Sequence, residues 1–453
     1  MVIVVGAGPT GLVLACALRA AGVPVRVLDS AEEPAVTSRA IALRTRAIEV
    51  LARLDALGDL FARGRAVHRA LFSIGGRSVV NQPVGLSLLI PQTEVEAALR
   101  ARYGGEIEWN SPVRTVRQDT DRVTVGLADG REVIGEWVVG CDGAQSVVRR
   151  WAGIGFPGVP LVERFLIADV QATLDRPRDA VSVWLDGAEA LTAFPLPGKD
   201  RWRLMARAKL GATGDAAVQT RQRIAHAGGE VRTAEWTTLF QIHRRLADNY
   251  RNGRVLIAGD AAHVHNPLTG FGLSTGMGDA ENLAWKLALV TTGRARESLL
   301  DAYEAERRPA ATTAVATVGS VTEALTTSKL VRFAVLLRNR RTARQHLSYR
   351  RGPLANRRTG HLVADIPAQL PDGTDTRLYA HLGAGWALLD PRPGLVEVAQ
   401  EALGTVTELT AGGRDSLLVR PDGHLAWRGT DPAGLTRWLT DVLRATRVPA
   451  GIA

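Results

Sequence analysis

The glycine-rich segment GAGPTG at residues 6–11 constrains the fold more than any other feature of this chain. It follows a β-branched run at residues 2–5 and precedes an alanine- and leucine-rich stretch that extends to residue 21. A second apolar run, at residues 25–29, ends in an aspartate. This order predicts a strand, a helix and a second strand, the opening unit of a doubly wound parallel sheet.

The spacing of the glycines predicts a dinucleotide site. Gly6 permits the tight turn, Gly8 lets a pyrophosphate approach the backbone, and Gly11 lets the helix pack closely on the strand. The free N–H groups at the helix N-terminus attract phosphate. Asp29 lies at the end of the second strand, where its carboxylate can accept hydrogen bonds from a ribose diol. The turn alone does not distinguish FAD from NAD.

A second motif occupies residues 137–148, WVVGCDGAQSVV. It predicts a strand, a Gly-Cys-Asp-Gly turn and a helix that starts near Ser146. Asp142 lies in this turn, where a carboxylate can contact a cofactor. An Asp-Gly pair also favours turns in its own right, so a purely structural role for Asp142 stays open.

A third motif occupies residues 254–287, RVLIAGDAAHVHNPLTGFGLSTGMGDAENLAWKL. A strand brings Asp260 to the edge of the sheet, where it can bind a polyol. The loop with Pro267, Gly270 and Gly272 lets the backbone approach a flat ring. N–H groups of this loop and of the following helix can stabilise negative charge on that ring.

In the rest of the chain, strand-like and helix-like residue patterns alternate. Strand patterns dominate at residues 71–90 and 160–245, and residues 113–139 predict a small antiparallel meander with a turn at Asp129-Gly130. Residues 45–62 have the apolar spacing of a helix. The residue pattern predicts helices at residues 279–348 and a segment of mixed helices and strands at residues 358–453.

Composition narrows the classes of protein that are compatible with this chain. Its 453 residues allow two or three domains. The net charge of +10 comes mostly from arginines spread along the chain, and the run RNRRTAR at residues 338–344 favours a solvated helix face over a nucleic-acid site. Two distant cysteines, Cys16 and Cys141, favour neither disulfides nor zinc and indicate a reducing cytoplasm. No apolar run is long enough to cross a membrane.

The three motifs together resemble those of the flavin aromatic hydroxylases of the para-hydroxybenzoate hydroxylase type, the group A flavoprotein monooxygenases. GAGPTG, GCDG and GDAAH stand in that family's order and approximate spacing. Arg39 in SRAIAL, Gln92 in IPQTEVEAAL and YEAERRP at residues 303–309 also match. The stretch SLLVRPDGHLAWRG at residues 416–429 is similar to the C-terminal thioredoxin-like domain of the actinobacterial branch that tailors polyketides and antibiotics.

The resemblance implies an α/β fold in which a Rossmann-like FAD-binding domain is interrupted by a β-rich substrate domain. The FAD-binding domain would comprise residues 1–70, 91–159 and 246–345. The substrate domain would comprise residues 71–90 and 160–245. A thioredoxin-like domain would follow at residues 346–453, without a redox CxxC pair, which favours a packing or oligomerisation role and leaves a homodimer open.

The resemblance also assigns residues to the cofactor. Gly6, Gly8, Pro9, Thr10 and Gly11 would line the pyrophosphate and Asp29 the adenosine ribose. Arg39 and Gln92 would reach the phosphates or the ribitol, Asp142 would belong to the motif linked to FAD and NAD(P)H, and Asp260 would hold the ribitol. The segment from Pro267 to Ser274, with Gly270, Gly272 and Leu273, would flank the isoalloxazine. Many members carry Asn at the position of Ser274, which puts a side-chain contact there in doubt.

The implied reaction is hydroxylation of an aromatic or polyketide-type small molecule. NADPH or NADH would reduce FAD without a nucleotide domain of its own, and O2 would form a flavin C4a-hydroperoxide that transfers oxygen to the substrate. Baeyer–Villiger insertion and inactivation of an antibiotic stay open, because the same intermediate serves both. A flavin halogenase is disfavoured because GWxWxIP is absent, and a non-catalytic flavin-binding protein is the more distant alternative.

Two groups of residues are candidates for the chemistry and the substrate. His263 and His265 flank the flavin loop and are the titratable candidates for a base, or else they order the loop. Trp236, Thr238, Phe240 and Ile242 alternate along one strand, and Phe194 and Pro195 lie in another. These strand residues predict an apolar pocket between the β-rich domain and the flavin, although ordinary sheet packing explains the same pattern.

Overall fold

The computed structural model of this protein describes residues 1–36, 41–75, 77–186, 190–208, 216–264, 271–326 and 348–441. The helices are α1 (Pro9–Ala20), α2 (Thr45–Arg53), α3 (Leu60–Arg63), α4 (Gln92–Tyr103), α5 (Val147–Trp151), α6 (Ala216–His226), α7 (Phe271–Thr291), α8 (Asp301–Thr326), α9 (Leu395–Leu403) and α10 (Pro432–Asp441). Short 3-10 helices occupy Gly259–Ala261, Glu297–Leu300 and Leu378–His381. In the described part of the chain, no helix is both long and apolar enough to cross a bilayer.

The strands, in chain order, are β1 (Val2–Val5), β2 (Val25–Leu28), β3 (Ala42–Arg44), β4 (Arg65–Ile74), β5 (Arg77–Leu89), β6 (Ile107–Glu108), β7 (Val113–Gln118), β8 (Val123–Leu127), β9 (Glu132–Gly135), β10 (Trp137–Gly140), β11 (Gly158–Thr173), β12 (Ala180–Trp184), β13 (Leu191–Pro195), β14 (Arg201–Arg207), β15 (Glu230–Leu246), β16 (Arg251–Asn252), β17 (Val255–Ile257), β18 (His263–Val264), β19 (Pro367–Gln369), β20 (Asp375–Arg377), β21 (Trp386–Leu389), β22 (Val406–Leu409), β23 (Ser416–Val419) and β24 (Leu425–Gly429).

Six of the described strands form the predicted parallel sheet, in the order β16-β17-β10-β1-β2-β6. Its strands are parallel except for β16, which runs antiparallel to β17. The β1 side chains are all buried, as expected for a strand covered on both faces. α1, α4 and α7 pack together beside this sheet and contribute to one large apolar core.

A second sheet connects segments that are far apart in sequence. Its described strands run in the order β18-β15-β11-β14-β13-β12-β4-β5-β3. One face is covered by α6, where an apolar cluster includes Leu166, Trp184, Trp202 and Ile224. At one end, β15 pairs with β18, which lies three residues beyond Asp260, so this sheet is joined directly to the third motif.

The C-terminal part contains a smaller sheet with the order β22-β21-β23-β24. β21 and β22 are parallel and are connected by α9, while β23 and β24 form an antiparallel hairpin. α10 follows, and its Leu435 and Trp438 are buried in the same cluster as Trp285 of α7. The C-terminal part therefore packs directly on the long central helix.

Two predictions from the sequence need correction. The helix expected over residues 45–62 is two helices, because Asp55 and Gly58 adopt left-handed backbone conformations with φ of 53° and 43°. The meander expected over residues 113–139 is limited to β7, β8 and β9. β10 belongs to the parallel sheet instead, because Trp137 to Gly140 is buried and pairs with β1.

Candidate functional site

Four parallel strands of the six-stranded sheet end at a common edge. Val5 is in register with Leu28 on one side and Gly140 on the other, and Gly140 is in register with Ile257. The residues that follow these ends include Gly6, Asp29, Asp142 and Asp260. The carboxyl edge of a doubly wound sheet is where such folds bind ligands. The structure therefore brings the three motifs together at this edge.

Close backbone contacts join the first motif to the second. Gly6 has a φ of +106°, and a Cβ atom there would lie 2.4 Å from the carbonyl oxygen of Cys141. A Cβ atom at Gly11 would lie 1.9 Å from the carbonyl oxygen of Gly6. Neither position has room for a side chain, in agreement with the roles that the sequence predicts for these glycines.

Thr10 joins the first motif to the third. A Cβ atom at Gly259 would lie 2.6 Å from the Thr10 hydroxyl oxygen, and one at Gly276 would lie 2.5 Å from it. The Thr10 side chain is thus packed between the end of β17 and the first turns of α7. This contact fixes the glycine-rich turn relative to the segment that carries Asp260.

Gly8, unlike Gly6 and Gly11, has open space where a side chain would lie. It is the N-cap residue of α1, and beyond its two chain neighbours no heavy atom would lie within 4 Å of a Cβ atom at this position. Pro9 occupies the first helical position, where its missing N–H is not needed. A phosphate group can therefore approach the backbone at the positive end of the helix, so the residues fit a dinucleotide.

Asp29 holds the glycine-rich turn in place. Its carboxylate accepts hydrogen bonds from the backbone N–H of Ala7 at 2.6 Å and from that of Ala31 at 2.8 Å. Each carboxylate oxygen has a further lone pair, and the side chain is only half-buried. Asp29 can therefore fix the turn and still accept a hydrogen bond from a ribose hydroxyl.

Asp142 combines the two roles that the sequence left open. One carboxylate oxygen accepts hydrogen bonds from the N–H groups of Val147 and Val148, at 2.7 and 3.1 Å, and so caps α5. The other, Oδ1, is buried and has no hydrogen-bond partner among the described residues. Because buried carboxylate oxygens normally have partners, Oδ1 is suited to a donor from a bound molecule.

The neighbouring Cys141 is not a nucleophile in this arrangement. Burial raises the pKa of the Cys141 thiol well above its ordinary value, and the charges of Asp142 and Asp279 raise it further. A thiol rather than a thiolate is present at neutral pH, and thiols are poor nucleophiles. Cys141 therefore serves the site through its backbone carbonyl, which packs against Gly6.

Asp260 and the start of α7 form the other side of the candidate site. The Asp260 side chain is accessible. Loss of hydration against the surrounding protein nevertheless raises the pKa of its carboxyl, and the nearby His263 partly opposes this shift. Gly272, Leu273 and Ser274 lie in the first turn of α7. Ser274 is buried, and its hydroxyl has no hydrogen-bond partner in the described part of the chain. This hydroxyl is available to a flavin edge.

Gln92 is the first residue of α4. Its side-chain amide donates a hydrogen bond to Glu96 at 2.7 Å. Burial raises the pKa of Glu96, and the negative charge of Asp29 contributes to the same shift. Four other predicted site residues, Arg39, His265, Pro267 and Gly270, lie outside the described residues.

His263 belongs to the third motif and is buried. Its Nε2 lies 2.6 Å from a carboxylate oxygen of Asp279, and its ring stacks on Tyr250 with centroids 6.3 Å apart. Only 1% of His263 is exposed. This placement agrees with the alternative role of the histidine in ordering the loop.

Asp279 and Arg307 are site residues that the sequence reasoning did not assign. Asp279 also accepts hydrogen bonds from the N–H of Gly259, at 3.1 Å, and from Nε of Arg307, at 2.7 Å. Burial alone would raise its pKa, but the charges of His263 and Arg307 outweigh burial and lower it. The signal for Asp279 was an acidic residue inside a largely apolar helical segment.

The predicted substrate residues lie on the second sheet. Phe194 pairs with Arg203, and Trp236 and Thr238 pair with β11, on the face opposite α6. Pro195 pairs with Trp202 instead, which belongs to the face that α6 covers. Phe240 of β15 pairs with Phe165 of β11, and the side chains of Phe240 and Ile242 lie outside the described part.

A doubly wound sheet with a glycine-rich turn, three strand-end aspartates and an attached antiparallel sheet defines a nucleotide-dependent enzyme of the flavoprotein class. The chain belongs to the FAD binding domain family, whose family model matches residues 1–318.

Similar proteins cover the whole chain. A rifampicin monooxygenase of Streptomyces venezuelae is 34% identical over 99% of this chain and 98% of its own length. The solved structure of the OxyS anhydrotetracycline hydroxylase from Streptomyces rimosus is 30% identical, with a TM-score of 0.80 over 99% of both chains. CabE, an aromatic hydroxylase from angucycline biosynthesis, is 28% identical, with a TM-score of 0.78 over 98% of both chains.

These findings confirm the central predictions from the sequence. The family, the mixed α/β fold of FAD-binding monooxygenases, the FAD cofactor and the class of flavin-dependent monooxygenase are as the three motifs indicated.

Proposed function

We propose that this enzyme uses NADPH or NADH and O2 to hydroxylate an aromatic, polyketide-type small molecule. The observation that carries the proposal is the convergence of the three motifs at one sheet edge, where Thr10 packs between Gly259 and Gly276. The similarity to enzymes named for rifampicin, anhydrotetracycline and angucycline chemistry supports the class of substrate. Bound FAD supplies the activation of oxygen after reduction.

The proposed role of the protein is to hold FAD and to exclude water. Gly8 and the N-terminus of α1 bind the pyrophosphate, and Asp29 binds the adenosine ribose. Asp260 holds the ribitol, while Asp142 offers its unpartnered oxygen to a donor of the cofactor or of the nicotinamide nucleotide. The remaining residues proposed for FAD are Gly6, Pro9, Thr10, Gly11, Arg39, Gln92, Pro267, Gly270, Gly272, Leu273 and Ser274.

We assign the substrate to the face of the second sheet opposite α6. Phe194 and Trp236 are only half-buried there, although both are large and apolar. Between them, Arg203 forms a two-point ion pair with Asp169, at 2.6 and 2.7 Å, and lies 5.7 Å from the Trp236 ring. Because the two charges cancel, this face suits an aromatic molecule without a net charge.

We further propose that the C-terminal part is a thioredoxin-like domain and that it begins near residue 346. The order β22-β21-β23-β24, with a parallel first pair, a connecting helix and a final hairpin, supports this fold. The chain has only two cysteines, Cys16 and Cys141, and both lie outside this part. A packing role, in the monomer or in a homodimer, is therefore proposed in place of a redox role.

A turnover experiment tests the reaction. Purified holoenzyme is mixed with NADPH or NADH and a panel of aromatic polyketides and rifamycin-like molecules under ¹⁸O₂. A true substrate accelerates oxidation of the nicotinamide and gains one labelled oxygen atom on a ring carbon. Oxygen inserted between two carbons would identify Baeyer–Villiger chemistry, and oxidation without any gain in product mass across the panel would contradict hydroxylation of this class.

The proposed substrate face is tested by Trp236→Ala and Phe240→Ala. Under this proposal each change removes an aromatic residue from the substrate face, so KM should rise about tenfold with FAD occupancy unchanged. Leu239→Ala is the matched control, since Leu239 is exposed on the other face of the same strand. An unchanged KM in both aromatic variants would remove this face from the substrate pocket.

A further inference from the structure

Arg307 of α8 holds the first turns of α7. Its Nη2 donates to the carbonyl oxygen of Thr275 at 3.0 Å, and its Nε donates to Asp279 at 2.7 Å. The guanidinium also lies against Gly278, where a Cβ atom would be 3.0 Å from Nη2. Arg307 is 1% exposed, so these contacts are not in competition with water.

Asp279 connects Arg307 to the segment that carries Asp260. The carboxylate oxygen that does not bind Arg307 accepts a hydrogen bond from the N–H of Gly259 and contacts His263. Gly259 directly precedes Asp260, and His263 follows it by three residues. One buried carboxylate therefore sets the position of Asp260 relative to the start of α7, the two sides of the candidate flavin site.

The third hydrogen bond of Arg307 joins it to the C-terminal part of the chain. Nη1 of Arg307 donates to the hydroxyl oxygen of Tyr349 at 2.9 Å. The Tyr349 ring stacks on His424, with centroids 4.1 Å apart and planes 25° apart, and the backbone N–H of Tyr349 donates to the carbonyl of Gly360 at 2.6 Å. Tyr349 lies beyond residue 318, where the match to the FAD binding domain family ends.

We propose that Tyr349 is a positioning residue for FAD. Its hydroxyl orients the Arg307 guanidinium, and Arg307 and Asp279 transmit this orientation to Asp260 and to the first turn of α7. The C-terminal part thus sets how tightly the enzyme holds its cofactor, although it lies outside the family's FAD-binding region. The inference rests on FAD binding by this family and on the proposed contact of Asp260 with the cofactor.

The test compares Tyr349→Phe with Tyr379→Phe in purified holoenzyme. Both variants lose one tyrosine hydroxyl from the C-terminal part. The Tyr379 hydroxyl donates to Val363 at 2.8 Å, within the C-terminal part itself. Free FAD is measured by its fluorescence after dilution, which gives the rate of release and the dissociation constant. Thermal unfolding is followed by circular dichroism.

For Tyr349→Phe we expect the dissociation constant of FAD to rise about tenfold, which corresponds to about 1.4 kcal/mol. The visible absorption band of the remaining bound flavin should also shift, because its surroundings are displaced. Tyr379→Phe should keep wild-type affinity and spectrum while it lowers the melting temperature to a similar extent. Equal FAD affinities in the two variants would overturn the inference.

A second variant covers the case in which Tyr349→Phe does not fold. His424→Gln removes the ring that supports Tyr349 and retains the tyrosine hydroxyl, so a smaller rise in the dissociation constant, about twofold to threefold, is expected. Wild-type affinity in His424→Gln would then contradict the proposal. Wild-type protein that takes up no FAD would contradict the cofactor assignment itself, and this outcome can be distinguished from an unchanged FAD affinity in the variants.

Discussion

Gly8 and Gly11 stand three residues apart in the first motif, but a methyl group would have very different surroundings at the two positions. At Gly8 it would contact no neighbouring heavy atom within 4 Å, and at Gly11 it would lie 1.9 Å from a backbone oxygen. The same substitution therefore separates a glycine needed by the ligand from a glycine needed by the fold.

We predict that Gly8→Ala weakens FAD binding at least tenfold and leaves the melting temperature of the FAD-free protein within about 2 °C of wild type. A methyl group there would occupy only the space through which a phosphate approaches. Gly11→Ala should instead lower stability by several kcal/mol, because backbone atoms cannot move aside. FAD titration and thermal unfolding of both variants provide the check, and a similar loss of stability in both would refute the distinction.

The element that dominates the interior is α7, whose side chains are buried from Ser274 to Leu289. A helix buried on all sides is expected to be apolar, yet this one carries Asp279, Glu281 and Lys286. Each charge is paired: Glu281 forms an ion pair with Arg53 at 2.5 Å, and Lys286 forms one with Glu306 at 2.9 Å. The helix is therefore fixed in its surroundings by charge pairing as well as by packing.

Glu306 of α8 makes this arrangement sensitive to acid. Burial alone would raise its pKa, but Arg420 and Lys286 outweigh burial and lower the pKa to about 2. In the unfolded chain the carboxyl titrates near its ordinary value of 4.5. A carboxyl group whose pKa is lowered by folding stabilises the fold at pH values above its pKa in the unfolded chain. This stability is lost as the pH falls toward its pKa in the folded protein.

We therefore predict that wild-type protein loses about 3 kcal/mol of stability from this one group between about pH 4.5 and pH 2. Glu306→Gln should be less stable than wild type at pH 7, and the difference should shrink as the pH falls through this window. Urea unfolding at a series of pH values measures both free energies. A difference that stays constant with pH would show that Glu306 does not carry the effect.

The elements show which parts of the fold a single sequence can predict. The strand, turn and helix of each cofactor motif were predictable because glycine spacing and β-branched runs act locally. The break at Asp55 was not, because a left-handed aspartate has no strong local signature. The partners of Glu281 and Glu306 were not predictable either, since Arg53 and Arg420 lie more than a hundred residues away in sequence. Such pairs depend on tertiary packing.

At the scale of the whole molecule, buried charges connect the C-terminal part to α7 and α8. Arg420 and Asp422 of the C-terminal part form an ion pair with each other, and Arg420 also binds Glu306 at 2.7 Å. Asp422 accepts a hydrogen bond from the indole N–H of Trp285 on α7 at 3.3 Å. Separation of the C-terminal part would break the buried ion pair between Arg420 and Glu306 and the hydrogen bond between Trp285 and Asp422, at a cost of several kcal/mol.

We predict that the holoenzyme unfolds in a single calorimetric transition. Opening the interface between the C-terminal part and the helices α7 and α8 would break buried ion pairs and hydrogen bonds, so neither side should stay folded without the other. Arg420→Ala should lower stability by about 3–5 kcal/mol because it leaves Glu306 and Asp422 under-compensated. Two resolved transitions in wild-type protein would show that the parts unfold independently.

The position of Thr10 between Gly259 and Gly276 has a consequence for how the protein is made. During synthesis the glycine-rich turn leaves the ribosome first, but the two glycines against which it packs emerge more than two hundred residues later. At about 5–20 residues per second, this delay is on the order of 10 to 50 seconds. The nascent chain cannot complete the flavin site in that interval, so the cofactor is captured only after most of the polypeptide has been translated.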